Sequence, residues 1–167
     1  VKTDDGELFE CRIKGNFRLK EIRSTNPIAV GDWVEFEMNV DGTAMINTIC
    51  DRRNYIVRRS SNLSKQFQIL AANLDLVALV VTVNYPETSL VFIDRFLATA
   101  EAYRVPACLV FNKIDRYTAA ELEYLDALVH LYTSLGYPAF KVSALHSENI
   151  NDLLAFLSGK TTLFSGN

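Results

Sequence analysis

The chain has few of the residues that build disulfide-bonded, metal-bound or membrane-spanning structures. It holds three cysteines, an odd number with no C-x-x-C pair: Cys11, Cys50 and Cys108. This pattern indicates neither a disulfide framework nor a zinc site, and each cysteine is expected as a small apolar side chain in a strand. The longest strictly apolar run, Leu76–Val81, is far shorter than the roughly 20 residues of a membrane helix. No signal segment opens the sequence, so we expect a cytoplasmic, monomeric protein without a membrane partner.

Glycine-rich phosphate loops of the form G-x-x-x-x-G-K-[ST] are also missing. Gly159-Lys160-Thr161 looks like the end of such a loop, but the position of its first glycine is occupied by Leu154. We therefore expect Lys160 to precede a strand and not to bind phosphate. A better register begins at Gly166, because a phosphate loop follows a strand directly and opens with glycine. Only Gly166 and Asn167 of that loop are present.

Histidine and tryptophan are scarce, and they indicate little about chemistry. His130 falls in a helical segment and His146 in a loop, and both are expected at the surface instead of in a catalytic site. Trp33 can be a core residue of a barrel or a platform on which a nucleic-acid base stacks. The first alternative is favoured, but the sequence leaves both open.

Positive and negative charges balance over residues 1–59, and the net charge of -3 arises after that point. A neutral segment can still present a basic face, because phosphate binding depends on the local arrangement of charge and not on its total. The basic residues that can form such a face, and so contact RNA, are Lys14, Arg18, Lys20, Arg23, Arg52, Arg53, Arg58 and Arg59.

Two kinds of sequence pattern divide the chain, which predicts domains at 1–58 and 59–167. The first part has short alternating segments with turn signals, among them the hairpin pair Asp41-Gly42. It predicts a small all-β barrel of the OB type, although strand spacing does not separate OB from SH3-like barrels. The second part alternates buried β-branched runs with helices, which predicts a doubly wound parallel α/β sheet. Strands are predicted at 8–13, 17–19, 33–38, 44–50, 76–83, 106–111, 138–142 and 161–165.

Helices are predicted between the later strands, starting near Ser89, near Thr118 and at Asn149. Thr118-x-x-Glu121 has the form of a capping box, in which the two residues satisfy each other's free backbone N–H groups. Gly136 and Pro138 predict the end of that helix.

Two polar motifs stand where strands of the predicted sheet end. Asn112-Lys113-Ile114-Asp115 follows the strand at 106–111, and Ser143-Ala144 follows the strand at 138–142. Ligands of open α/β sheets bind beyond the carboxyl ends of the strands, so both motifs lie where a ligand is expected. Guanine presents two N–H donors on one edge, and the carboxylate of Asp115 can accept both. Adenine offers no such pair, so an unpaired carboxylate would penalise it.

The remaining motif residues have matching roles in this hypothesis. Asn112 can bridge the base and neighbouring backbone, and the stem of Lys113 can lie over the ring. The backbone N–H of Ala144 can reach the guanine oxygen, while Ser143 can support the Asp115 carboxylate. An isolated Asn-Lys-x-Asp is common in solvated turns, so the prediction depends on the strands before both motifs. The predicted nucleotide-binding set is Asn112, Lys113, Asp115, Ser143, Ala144, Gly166 and Asn167.

With these motifs in this order, the chain resembles the circularly permuted ribosome-assembly GTPases, the family of ribosome small subunit-dependent GTPase A. The resemblance covers nearly the whole chain. It is carried by Asn26-Pro27-x-x-Val30-Gly31-Asp32, Asp51-Arg52-Arg53-Asn54, Ala72-Asn73-Leu74-Asp75, Ile93-Asp94-Arg95-Phe96-Leu97, Asn112-Lys113-Ile114-Asp115 and Leu135-Gly136-Tyr137.

The resemblance implies an OB-fold domain that contacts ribosomal RNA, followed by a GTPase domain whose base-recognition motifs precede its P-loop. It further implies GTP hydrolysis with Mg²⁺ during late maturation of the small ribosomal subunit, and a zinc-binding C-terminal domain. We expect the chain as given to be a fragment that ends at the start of the P-loop and is inactive. No catalytic or metal-binding residue is predicted within it. The alternative is a non-catalytic RNA-binding module whose α/β part serves as an interaction scaffold.

Overall fold

The computed structural model describes residues 1–13, 27–40, 42–59 and 67–166, and the chain divides into two compact units, Val1–Asn73 and Leu74–Asn167. The predicted residues Lys14, Arg18, Lys20, Arg23 and Asn167, and the predicted strand at 17–19, lie outside the described residues. Strands of the first unit are β1 (Cys11–Ile13), β2 (Val34–Met38), β3 (Ala44–Ile49), β4 (Tyr55–Arg59) and β5 (Phe67–Ala72). The second unit contains β6 (Leu76–Val81), α1 (Leu90–Ala102), β7 (Ala107–Phe111), α2 (Ala119–Ser134), β8 (Ala139–Lys141), α3 (Ile150–Leu157) and β9 (Thr162–Gly166).

A three-stranded sheet in the order β1-β3-β2 begins the first unit. β2 and β3 form the antiparallel hairpin that the Asp-Gly pair predicts. Side chains alternate across the hairpin, so Ala44 and Ile46 are buried. Trp33, just before β2, is 63% exposed, so the favoured core position is wrong for this residue.

A two-stranded antiparallel ribbon, β4 with β5, follows this sheet. The sequence analysis did not predict the ribbon, and it spans the predicted domain boundary at residue 58. No tight-turn dipeptide connects its strands, so the pairing had no local signal. The described residues form this sheet and ribbon and not a closed barrel. The OB-type barrel therefore stays a prediction, as does the domain boundary.

Four parallel strands in the order β8-β7-β6-β9 form the sheet of the second unit, which confirms the predicted parallel α/β pattern. β6 and β7 lie inside the sheet, and their apolar runs are buried almost throughout. Cys108 in β7 is fully buried, and burial raises the pKa of its thiol to about 11. Cys50, in contrast, is exposed just after β3.

The helices of the second unit start and stop where local chemistry predicts. Ser89 caps α1 by accepting the backbone N–H of Phe92. Thr118 and Glu121 make the predicted reciprocal bonds at the start of α2. Gly136, with φ +94°, follows Leu135, the C-cap of that helix. Within the described part of the chain, no helix has both the length and the apolar character that crossing a bilayer requires.

Candidate functional site

The strand order of the second unit creates one natural ligand position. From β6 the chain moves outward to β7 and β8, and it then returns to β9 on the other side of β6. Such a reversal leaves a crevice beyond the carboxyl ends of the central strands, where α/β proteins bind ligands. The loops at 82–88, 112–118 and 142–149 and the end of β9 all lie at this edge.

Gly166 brings β9 into close contact with β6. A Cβ atom at this position would lie 2.5 Å from the carbonyl oxygen of Val80, closer than any side chain tolerates. The strand register pairs these same two residues. Glycine is thus required for the chain to leave the sheet here, at the switch point.

Asn112 joins the two predicted recognition motifs. Its side-chain oxygen accepts the backbone N–H of Lys113 at 2.8 Å and that of Ala144 at 3.0 Å. One amide oxygen therefore connects the loop after β7 with the loop after β8. The NH₂ group of the Asn112 side chain remains as the part that can donate to a ligand.

Asp115 is held as a carboxylate by its surroundings. A hydrogen bond from Ser143 lowers the pKa of Asp115, and His146 and Arg116 lower it further. The Asp115 side chain is 14% exposed, and its Oδ2 lies 3.8 Å from Nε2 of His146. Ser143 is fully buried and its backbone pairs with Glu148, so it is a rigid support. The arrangement presents a fixed acceptor to a donor-bearing ligand edge.

Lys113 departs from the expected position over a base. It has a left-handed backbone conformation with φ +69°, and its ammonium donates to the carbonyl oxygen of Tyr85 at 2.5 Å. Lys113 therefore contacts the loop after β6 in this structure. Its placement over a purine ring stays a prediction.

The sequence analysis missed several residues that support this site. The Tyr117 hydroxyl bonds to the backbone of Val83 and of Asn112. The side chain of Asn84 bonds to Glu121. The available signal was an aromatic residue two positions after Asp115, where a solvated loop would carry a polar one. That signal is weak, because it becomes informative only when the neighbouring loop is known.

Arg52, predicted to contact RNA, is occupied inside the first unit. Its guanidinium forms two 2.6 Å bonds with the carboxylate of Asp32 and a third, at 3.0 Å, with the carbonyl oxygen of Pro27. The Arg52 and Asp32 side chains are 6% and 1% exposed. A bidentate, buried pair of this kind holds the backbone and is not available to phosphate. We therefore leave Arg52 out of the proposed RNA-contacting residues.

Gly31 and Asn73 connect the first sheet with the ribbon beside Arg53. A Cβ atom on Gly31 would lie 2.2 Å from the carbonyl oxygen of Ala72, and Gly31 has φ +88°. Asn73 donates to the Gly31 carbonyl oxygen at 2.9 Å and accepts the backbone N–H of Arg53 at 3.0 Å. The Arg53 guanidinium also bonds to the Asn73 carbonyl oxygen. Three of the motifs that carry the family resemblance thus serve to hold this unit together.

Arg58 and Arg59 are the last two residues of β4, and Arg58 is exposed.

Metal ligands are a separate question. The described residues include no group of three or more His, Cys, Asp or Glu side chains that can hold a metal ion. We therefore assign no ligand of the Mg²⁺ or zinc that the resemblance implies among these residues.

The parallel α/β fold and a match to a GTPase family model place the chain in the class of GTPase-type α/β proteins. The solved structure described as YloQ, a circularly permuted GTPase, shares the fold with a TM-score of 0.70 at 24% identity, over 99% of this chain and 53% of that one. The structure of YjeQ from Thermotoga maritima matches with a TM-score of 0.75 at 35% identity, over 98% of this chain and 54% of that one.

The chain belongs to the RsgA GTPase family. Residues 49–167 match the model of the RsgA GTPase and residues 1–46 that of the RsgA N-terminal domain. Small ribosomal subunit biogenesis GTPase RsgA 2 of Bacteroides thetaiotaomicron is 68% identical over 166 residues, and the corresponding protein of Phocaeicola vulgatus is 65% identical over 167. The chain spans about half, 54%, of the length of these relatives. The resemblance seen in the sequence is confirmed.

Proposed function

We propose that the full-length protein binds and hydrolyses GTP as a biogenesis factor of the small ribosomal subunit. Family membership and the names of the relatives support this role. The observation that carries it is the bond from Ala144 N–H to the Asn112 side chain, beside an Asp115 carboxylate supported by Ser143. These contacts build one recognition surface from two loops that lie far apart in sequence.

In the proposed complex Asp115 accepts the ring N–H and the exocyclic amine of guanine. Asn112 donates its free NH₂ group to the base. The N–H of Ala144 bonds to the Asn112 side chain in this structure, so it reaches the guanine oxygen only by sharing or leaving that bond. Ser143 keeps Asp115 ionised and oriented. The stem of Lys113 covers the ring. Its ammonium bonds to the Tyr85 carbonyl oxygen in this structure. Adenine would leave the carboxylate unpaired, so the site rejects ATP.

Phosphate binding is proposed to begin at Gly166, which stands at the switch point where β9 ends. Asn167 follows it as the second residue of the P-loop. Phosphoryl transfer depends on positioning and on charge stabilisation around the phosphates, and Mg²⁺ supplies such charge in this class of enzyme. We assign no catalytic residue within the described chain.

The first unit is proposed to contact ribosomal RNA through basic residues. Arg53, Arg58 and Arg59 are the candidates within the described part of the chain. The partner would be the small ribosomal subunit, and the cytoplasm the compartment. A monomeric state, the OB-type barrel and the zinc domain rest on the sequence alone and stay predictions.

The base-recognition proposal is tested by Asp115→Asn in the full-length protein. An amide presents one donor and one acceptor where the carboxylate presents two acceptors, so preference should move from GTP towards xanthosine triphosphate. We expect at least a tenfold loss of GTP affinity, about 1.4 kcal/mol. Calorimetry with both nucleotides measures the change.

Asp126→Asn is the matched control for that experiment. Asp126 is an exposed carboxylate of α2 that belongs to neither recognition motif and pairs with Lys141, the last residue of β8, at 2.6 Å. It should leave the preference for GTP intact. Equal selectivity of Asp115→Asn and wild type would refute the proposed role of Asp115.

A further inference from the structure

Tyr117 connects the loop after β7 (residues 112–118), called the recognition loop below, with the loop after β6 (residues 82–88). It follows the 3₁₀ turn Ile114–Arg116, which carries Asp115, and is only 8% exposed. Its hydroxyl donates to the carbonyl oxygen of Asn112 at 2.6 Å and accepts the backbone N–H of Val83 at 2.9 Å. One phenol therefore satisfies a half-buried acceptor and a half-buried donor that belong to different loops.

Three more contacts join the loop after β6 to the recognition loop or to the first turn of α2. The Lys113 ammonium bonds to the Tyr85 carbonyl oxygen, and the Arg116 guanidinium lies 4.6 Å from the centre of the Tyr85 ring. The side chain of Asn84 donates to Glu121 at 2.9 Å. The loop after β6 thus supports the recognition loop at several positions, and Tyr117 is the most deeply buried residue among these contacts.

The atom that Tyr117 holds determines where the recognition groups lie. The Asn112 carbonyl belongs to the peptide unit whose N–H, on Lys113, bonds to the Asn112 side chain. Fixing the carbonyl fixes the plane of that peptide. It also supports the left-handed conformation of Lys113, which is unfavourable for a non-glycine residue. Burial raises the pKa of Tyr117, so its hydroxyl stays protonated and able to donate at neutral pH.

We propose that Tyr117 is a positioning residue for guanine-nucleotide binding, which fixes the Asn112–Lys113 peptide and so orients the side chain of Asn112 and the turn that carries Asp115. It acts through these residues and does not itself contact the nucleotide. This inference rests on the proposed function, because it assigns a role within that same site.

Tyr117→Phe in the full-length protein removes both hydrogen bonds and keeps the buried ring. We expect the dissociation constant for GDP to rise about three- to tenfold, because the recognition groups must then be ordered when the nucleotide binds. Calorimetry at a temperature well below unfolding measures it. In the absence of nucleotide, NMR should show displaced amide resonances for Val83, Lys113 and Ala144.

Tyr132→Phe is the matched control. Tyr132 is a buried tyrosine of α2 whose hydroxyl donates to Asp94 on α1 at 2.9 Å, with no contact to the recognition loops. Its loss should lower thermal stability to a similar degree but leave GDP affinity and the three amide resonances unchanged. A merely structural role for Tyr117 predicts identical behaviour of the two variants, and that result would overturn the proposal.

Two further measurements keep the outcomes distinct. If wild type binds GDP and ADP equally, the proposed function fails, while the amide resonances still report whether Tyr117 orders the loop. If Tyr117→Phe does not fold, Asn84→Ala carries the test, because it loosens the same loop at a half-buried position. An Asn84→Ala protein with wild-type GDP affinity and wild-type amide resonances would then refute the proposal.

Discussion

Two carboxylates, Asp32 and Asp115, show how neighbours decide what a charged side chain does. Asp32 is almost fully buried and spends both oxygens on Arg52, so it holds backbone together. Asp115 is supported by the neutral hydroxyl of Ser143, and its Oδ2 lies 3.8 Å from Nε2 of the His146 imidazole. Its acceptor capacity is therefore not consumed by a strong ion pair. This difference makes Asp115 the better candidate for recognising a ligand.

The lowered pKa of Asp115 predicts how guanine preference depends on pH. A depressed pKa keeps the carboxylate ionised at neutral and mildly acidic pH, and the stabilisation disappears as pH falls through the folded-state pKa. The ratio of GDP to ADP affinity should therefore be constant from about pH 8 to pH 5. It should decrease only at pH values below the ordinary carboxyl pKa range, which lies at about 4. Calorimetry across this range, on protein shown to be folded by circular dichroism, gives the profile.

Ser143→Ala is the comparison for this profile. Without the hydroxyl the pKa of Asp115 should rise, so preference for GDP should begin to fall at a higher pH than in wild type. Coincident pH midpoints for the two proteins would mean that Ser143 does not control this carboxylate.

At the level of elements, helix α2 begins with a local capping signal that also supports the candidate site. Its capping box lies directly after Tyr117, so the first residue of the helix is fixed next to the recognition turn. Glu121 serves both the cap and the bond to Asn84, and these contacts lower its pKa. The start of α2 therefore belongs to the support of the candidate site as well as to the helix.

Thr118→Ala should destabilise the protein by about 1 kcal/mol, because it leaves the backbone N–H of Glu121 without its cap. Thermal unfolding measures the loss. Thr133→Ala is the control on the same helix: Thr133 is exposed and bonds back to the Val129 carbonyl oxygen, so its replacement should cost nothing or slightly stabilise. Equal losses for both variants would contradict the capping role.

For the whole molecule, charge is distributed so that the two units suit different partners. The balanced charge of residues 1–59 includes exposed arginines such as Arg58, whereas the second unit carries the net negative charge. Nucleic-acid affinity arises from local cations that displace counterions, so the first unit is the better candidate for RNA contact.

Arg58→Ala should weaken binding of the full-length protein to small ribosomal subunits and reduce the slope of log affinity against log salt concentration by about 1. Arg95→Ala removes the same charge from an exposed position of α1 and should change neither quantity much. Binding measured at several salt concentrations tests both. Equal slopes for Arg58→Ala and Arg95→Ala would remove Arg58 from the proposed surface.

The sequence by itself determined the features that depend on local chemistry or on period. Capping residues specify helix starts through bonds within one turn, and runs of buried β-branched residues specify interior parallel strands. Asn112, Asp115 and Ser143 could be placed at the sheet edge because the carboxyl ends of parallel strands share one edge. The family resemblance could also be stated from the sequence, because its motifs follow one another along the chain.

Only the tertiary structure decided which side chains meet across long sequence distances. Arg52 looks in sequence like one more exposed cation, and its burial depends on Asp32 arriving from another segment. The β4–β5 ribbon needs a partner strand that no turn dipeptide announces. Tyr117 gains its role from Val83, a residue 34 positions earlier. Such contacts depend on the chain entropy and packing of the whole unit, which no short window of sequence contains.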